Sequence, residues 1–530
     1  MFGGSGAGKS ASYVIPNALQ LLGSYVFTDP KGELYDKTAG YFQAKGYNVK
    51  VLNLVNPENS DGYNPLSHIK NEIDVDVIAN TIMKGQSSEN GGSDPYWDNM
   101  AEMLLKSLIF FLKAVRPPEE QNLASCAEMV RAANNSGGSN KLTELMEVLP
   151  YDHPARMNYK SIEIAPEKTY SSILSTLQSK LGKFDSKEIA EVTSTDTINF
   201  EQIGEEKTVV YVISSDTHTA YDFLLTIFFS QMIQQLYDFA DKKGGALPVP
   251  TYFILDEFAN IGHIPDFDKK ISTSRSRKIS FSVILQNLDQ LEAVYEKANE
   301  TIIGNCDTHV FLGSNSQKTV EYFSKQLGEK TITRNNYSVN RDKGEWKQGS
   351  SESDQIMARS LMTPDELRRM DNDLCIIFEK GIKPIKANKY YYFKYPEGKL
   401  VEKYKADHNN VQVKRAPWRK YNPNNPYEEG SEENAESFPS LDSLFEDEGE
   451  TGKSGTTSTS SSNFQNSSES TELPGMSALK ENTTNIKTSS SPAKNQPKKN
   501  TTDIDIQKEL EAKFDELFGA LDDDDDDSNI

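Results

Sequence analysis

The stretch Gly3-Gly4-Ser5-Gly6-Ala7-Gly8-Lys9-Ser10 has the residue types and spacing of a loop that wraps a nucleotide's phosphates in backbone N–H groups. Gly3 and Gly8 permit a tight turn and close approach of the main chain to a ligand, with Gly4, Ser5, Gly6 and Ala7 forming the rest of the cradle. Lys9 is expected to reach the β- and γ-phosphates and Ser10 to give one oxygen to Mg²⁺. Such a loop needs an acidic partner, and the apolar run Tyr252 to Leu255 closes on Asp256-Glu257. Asp256 is the candidate Mg²⁺ residue, through water, and Glu257 is placed to polarise a water attacking the γ-phosphate. The next apolar run, Ile279 to Leu285, ends in Gln286-Asn287, a neutral amide able to sense whether the γ-phosphate is present. A local basic cluster precedes that run: Lys269, Lys270, Arg275, Arg277 and Lys278. It fits a nucleic-acid path, an arginine offered to a neighbouring subunit's site, or a solvated helix face.

Positioning these groups calls for an α/β fold with a mostly parallel sheet, whose ligands sit at the carboxyl ends of the strands. A helix is expected from Ala11, its N-terminal dipole facing the phosphates. A phosphate loop leaves the end of a buried strand, yet only Met1 and Phe2 stand before Gly3, so the chain reads as a fragment or as one whose start was misassigned. Ser24 to Thr28 reads as a buried strand ending in the turn Asp29-Pro30-Lys31-Gly32-Glu33, followed by a helix from Leu34 to Lys45 and a strand from Asn48 to Leu54. From Ile73 to Glu191 the pattern is helical: Trp97, Ala101, Leu104, Leu105, Leu108, Leu112 and Val115 recur at helical spacing, and a loop is expected around Gly137-Gly138. Sheet character returns at Thr208 to Ile213, a helix at Tyr221 to Ala240 and a last core strand at Thr308 to Gly313, with edge strands expected at Cys375 to Phe378 and Tyr390 to Phe393. The chain therefore divides into a nucleotide-binding domain in two parts, 1–72 and 196–420, an all-α insertion at 73–195, a low-complexity linker at 421–503 and an acidic amphipathic segment at 504–530.

Charge supports that division. Of 79 acidic residues, 25 lie from Tyr421 onward, against 8 of the 57 basic ones, so the first 420 residues are only mildly acidic and the remainder strongly so. That remainder is dominated by Asn, Pro, Ser, Thr and Glu, which cannot bury enough apolar area to fold. Near its end Ile506, Leu510, Phe514, Leu517, Phe518 and Leu521 form one apolar stripe, readable as a docking helix or as a weakly helical solubilising tail. Overall composition lacks the basic footprint of a duplex-binding protein. The three cysteines, Cys126, Cys306 and Cys375, form no C-x-x-C pair and read as reduced thiols, and no structural metal site is indicated. No window approaches the apolar length needed to cross a bilayer.

Taken together, the phosphate loop, Thr28-Asp29-Pro30-Lys31-Gly32-Glu33-Leu34, Leu255-Asp256-Glu257-Phe258-Ala259-Asn260, Leu285-Gln286-Asn287 and Gly304-Asn305-Cys306-Asp307-Thr308 resemble the TraG-type coupling proteins of type IV secretion and conjugation, in the branch of Gram-positive conjugative elements. The resemblance covers residues 1 to about 395. It implies a RecA-like P-loop NTPase domain with an all-α insertion, assembled as a homo-hexamer on the cytoplasmic face of the plasma membrane. It further implies that ATP and Mg²⁺ drive transfer of a relaxase and single-stranded DNA through the secretion channel. Lys9, Ser10, Asp256, Glu257 and Gln286 then take the roles given above, with Arg275, and Arg277 second, as the arginine acting in trans. Family members carry N-terminal membrane helices and a strand before the phosphate loop, which this sequence does not contain. Two other readings stay open: a cargo-docking platform in which nucleotide only sets conformation, and a chromosome-partitioning DNA translocase, against which the long helical insertion and the Asp29 to Glu33 turn argue.

Overall fold

The computed structural model describes residues 1–84, 95–134, 141–215, 221–340 and 349–423. Five strands, β1 (Ser24–Thr28), β2 (Asn48–Asn53), β3 (Thr208–Ile213), β4 (Thr251–Leu255) and β5 (Ile279–Val283), form an all-parallel sheet in the order β2-β3-β1-β4-β5. Every residue of β1 and β3 is buried, as expected of strands covered on both faces. Alternate side chains supply two cores. Val26, Val210, Val212, Phe253 and Leu255 face one that continues into the helical segment through Leu104, Leu105 and Leu108. Tyr25, Phe27, Tyr211 and Ile254 face the other, under the helix Glu33–Ala44.

A helical segment comes between β2 and β3, from Glu72–Lys84 to Phe200–Glu205. The Gly137-Gly138 loop lies outside the described residues. Beyond β5 come β6 (Thr308–Phe311), a hairpin of β7 (Glu329–Asn340) and β8 (Gly349–Ser360), then β9 (Leu374–Glu379) and β10 (Ile385–Asn388). In this second sheet β9 pairs antiparallel with both β6 and β10, in the order β10-β9-β6.

Met1 and Phe2 join the two sheets. Phe2 bridges in parallel to Leu285 on one side and Phe311 on the other, with Phe2 N donating to Val310 O (2.8 Å), Leu312 N to Phe2 O (2.8 Å) and Gly3 N to Leu285 O (2.9 Å). The place of the strand expected before the phosphate loop is thus held, among the described residues, by two residues. The Phe2 side chain, 4% exposed, meets Phe323 edge-on at 5.3 Å between ring centres.

Three local expectations are corrected. The segment after the phosphate loop opens as a π-helical turn, Ser10–Val14, before the short α-helix Ile15–Ala18. The Cys375 to Phe378 run lies in the middle strand of its sheet, because both β6 and β10 find partners on it. Tyr390 to Phe393 is no strand; the edge is Ile385–Asn388, and Tyr392–Lys394 is a 3₁₀ turn packed at the phosphate loop.

The chain then runs back across the body to the helical segment. Ala406 N donates to Asp36 O (2.8 Å), Arg415 pairs with Glu191 (2.9 Å), and Arg419 Nε reaches Glu120 Oε1 at 2.6 Å. Glu120 is fully buried, its other oxygen bonded by Arg116 Nε at 2.6 Å, so two guanidinium groups compensate one carboxylate. The acidic linker and the terminal amphipathic segment lie, after residue 423, outside the described residues. Among the described residues no helix is long and apolar enough to cross a membrane.

Phe2→Ala should cost about 3–5 kcal/mol, because the ring fills the seam between the sheets. Urea denaturation followed by circular dichroism checks this, and a loss under about 1 kcal/mol would show that the seam closes without it.

Candidate nucleotide site

Parallel pairing sets Thr28 level with Leu255 and Leu255 level with Val283. The residues that follow each strand, Asp29, Asp256-Glu257 and Gln286, therefore emerge at one edge of the sheet. There they line a cavity of about 790 Å³ together with the phosphate loop. The loop holds its shape through Gly6 (φ 75°) and Gly8 (φ 78°), both in the left-handed region that only glycine occupies without strain. Gly8 also lies against the Tyr391 ring, where an added Cβ would come 3.1 Å from Cε1. Its N–H has no acceptor among the described residues and is available to a ligand.

Lys9 is buried, its Nζ 3.9 Å from both Asp256 Oδ1 and Glu257 Oε1. Ser10 Oγ donates to Asp256 Oδ2 at 3.3 Å, and Thr28 Oγ1 donates to the Asp256 carbonyl at 2.7 Å, tying β1 to the acid turn. Glu257 adopts a left-handed backbone (φ 53°), a conformation that costs of order 1 kcal/mol for a residue with a side chain and collects at functional sites. Its carboxylate is gripped on both oxygens, by Gln286 Nε2 (3.1 Å) and Asn260 Nδ2 (3.2 Å). The sequence candidates Lys9, Ser10, Asp256, Glu257 and Gln286 are thus brought together around one cavity.

Burial raises the pKa of Asp256, opposed chiefly by the Lys9 ammonium. Asp29 is pushed up to about 6, again by burial, against the Tyr35 N–H bonded to its Oδ2 at 2.8 Å. A hydroxyl and a carboxylate in contact, Ser10 and Asp256, are the hard oxygen donors that Mg²⁺ prefers, so this donor set fits that ion.

Arg275 stands apart. It is exposed in the turn Arg275–Arg277 at the amino end of β5, roughly 20 Å along the strand direction from Gln286 at the carboxyl end. Arg277 is engaged locally, bidentate to Asp241 (3.0 Å to each oxygen) and over the Tyr237 ring. Lys269 pairs with Asp266, and burial lowers the pKa of Lys270. Two of the five basic residues, Lys269 and Arg277, thus meet carboxylates of their own surroundings.

Sequence reasoning missed the wall opposite the loop. Tyr392 and Phe393 line the cavity, Tyr391 packs on Gly8, and the buried Lys389 bonds the Ala7 carbonyl. The aromatic run was the available signal, and strand propensity concealed it.

Residues 1–417 match the family described as type IV secretory system conjugative DNA transfer. Among curated relatives, the conjugal transfer protein TraG of Escherichia coli is 28% identical over 390 residues, covering 69% of this chain and 60% of its own length. TraG of Agrobacterium fabrum is 24% identical over 411 residues (74% and 60%) and VirD4 of Rhizobium radiobacter 23% over 397 (73% and 56%). The chain thus spans about 60% of the length of the TraG relatives. Among solved structures, the bacterial conjugative coupling protein TrwBdeltaN70 superposes with a TM-score of 0.52 at 17% identity, over 73% of this chain and 83% of its own. TrwB in complex with ADP and Mg²⁺ gives the same score and identity, over 73% and 84%. The fold is therefore the RecA-like one of these coupling proteins.

Asp29 makes the stability of the fold depend on pH in a specific direction. Because its folded pKa of about 6 lies above the unfolded value of 3.8, the folded state binds more protons between those values, and stability falls as pH rises through them. Asp29→Asn, which keeps an acceptor for Tyr35 N–H, should remove that decline and leave the variant about 2 kcal/mol more stable than the parent at pH 7.5. Parallel denaturation curves at pH 4.5 and 7.5 test it.

Proposed function

We propose, because the chain belongs to the family of type IV secretory system conjugative DNA-transfer proteins, that it is the ATP-hydrolysing coupling protein of a conjugative system. In this reading it recruits a relaxase with its single-stranded DNA and uses ATP to drive their passage into the secretion channel. It works as a homo-hexamer at the cytoplasmic face of the membrane. The observation that carries the reading is the grip on Glu257: a carboxylate fixed by Gln286 and Asn260, next to Lys9 and at the edge of a phosphate loop.

In this mechanism N–H groups of the phosphate loop not bonded within the protein, that of Gly8 among them, cradle the phosphates and Lys9 carries the β- and γ-oxygens. Ser10 and Asp256 would hold Mg²⁺, which would supply positive charge against the phosphate oxygens. Glu257 takes the proton of the attacking water. Gln286 links that carboxylate to the γ-phosphate, so the base is released or held according to the state of the nucleotide. Arg275 lies too far from its own chain's cavity to serve there, and it is the residue offered to a neighbouring subunit's γ-phosphate. Support for ATP and Mg²⁺ comes from this donor set and from the nucleotide complexes of TrwB.

Glu257→Gln should keep ATP binding within a few-fold of the parent while lowering DNA-stimulated, Mg²⁺-dependent turnover by roughly a hundredfold or more. Isothermal calorimetry and phosphate release measure the two separately. Unchanged turnover would remove Glu257 as the base, and turnover indifferent to single-stranded DNA in the assembled protein would count against translocation.

A further inference from the structure

Lys389 follows β10 and is 6% exposed. Among the described residues its ammonium has no carboxylate partner within ion-pairing distance. Its three donors meet three neutral oxygens instead: Ala7 O (2.9 Å), Leu312 O (2.9 Å) and Asn372 Oδ1 (3.4 Å). Burying an ammonium is costly unless every N–H is satisfied, and three acceptors satisfy it without cancelling its charge.

The Ala7 carbonyl is the informative partner. In a trans peptide the C=O and the following N–H point in opposite directions. A carbonyl held outward by Lys389 therefore turns the Gly8 N–H the other way, into the cavity, where it has no protein acceptor. The same loop is braced at two further points: Asn372 Nδ2 approaches the Gly6 carbonyl at 3.5 Å, and the Tyr391 ring, its hydroxyl donating to Asn372 O at 3.3 Å, packs on Gly8. Lys389 N itself donates to Asp373 O at 2.7 Å, so the lysine is anchored to the turn that carries Asn372.

We propose that Lys389 is a positioning residue for phosphate binding: it holds the Ala7 carbonyl away from the cavity and keeps the Gly8 N–H aimed at the phosphates. This rests on the nucleotide-binding reading of the site. The role belongs to the phosphate and not to the base, so it applies equally to inorganic tripolyphosphate.

Lys389→Met should weaken ATP and tripolyphosphate alike by roughly tenfold to a hundredfold, measured by calorimetry with Mg²⁺ on the full chain. Lys389→Arg, which keeps the charge and donors, should recover most of that loss. Melting curves without ligand accompany each variant. Lys389→Gln, with two donors and no charge, serves if the Met variant fails to fold, and should fall between parent and Met. Parent-like affinity in the Met or Gln variant overturns the proposal, as does a loss confined to ATP, or an Arg variant no better than Met. A parent that binds neither ATP nor tripolyphosphate overturns the nucleotide reading itself, a different result from a parent that binds and a variant that binds as well.

Discussion

The parallel register of β1, β4 and β5 is the constraint on which the rest depends. With Thr28, Leu255 and Val283 level, three turns that are far apart in sequence deliver Asp29, Asp256-Glu257 and Gln286 to one edge. A slip of one residue would send each strand's buried side chains to the opposite face, and both cores forbid it. Tyr25 and Phe27 stack with Tyr252 and Tyr211 on one side, while Val26 and Phe253 join the helical segment's core on the other. Packing thus fixes the positions of the carboxylates before any ligand is considered.

Within that frame the acid turn is held in a condition costly to the fold. Asp256 and Asp29 are buried enough that their charged forms are disfavoured, and Glu257 takes a left-handed backbone that a glycine would occupy more readily. The compensation comes from donors whose own positions are set elsewhere: Thr28 from β1, Ser10 from the phosphate loop, Gln286 from the end of β5. The cavity is therefore a meeting of elements none of which could hold its geometry alone.

The parts of the site legible in the sequence were those whose chemistry is local. Gly3 to Ser10 and Asp256-Glu257 declare themselves by spacing, and Gln286 by its position after an apolar run. The brace could not be read in this way. Lys389 is an ordinary lysine until the sheet containing β9 and β10 carries it 382 positions back to Ala7. Tyr390 to Phe393 misled because aromatic residues favour strands and walls of pockets equally. Nor did local pattern mark the hairpin: Ile332 faces Met357 in its register, but the Thr, Asn, Ser and Arg around them leave no sustained alternation. For the fold, apolar runs located the five central strands, while which strand lies at an edge depends on pairing, which no single run contains.

The distance in sequence between the loop and its brace, Tyr391 and Lys389, has a consequence for synthesis. The phosphate loop is synthesised some 380 residues before the aromatic wall and the ammonium that brace it. Until that stretch emerges, the loop lacks the contacts that fix its carbonyls, and closing so long a span is slow relative to forming the helices between. Over those 380 residues the nascent chain consequently has an unbraced loop, which settles only after Tyr391 and Lys389 have been made.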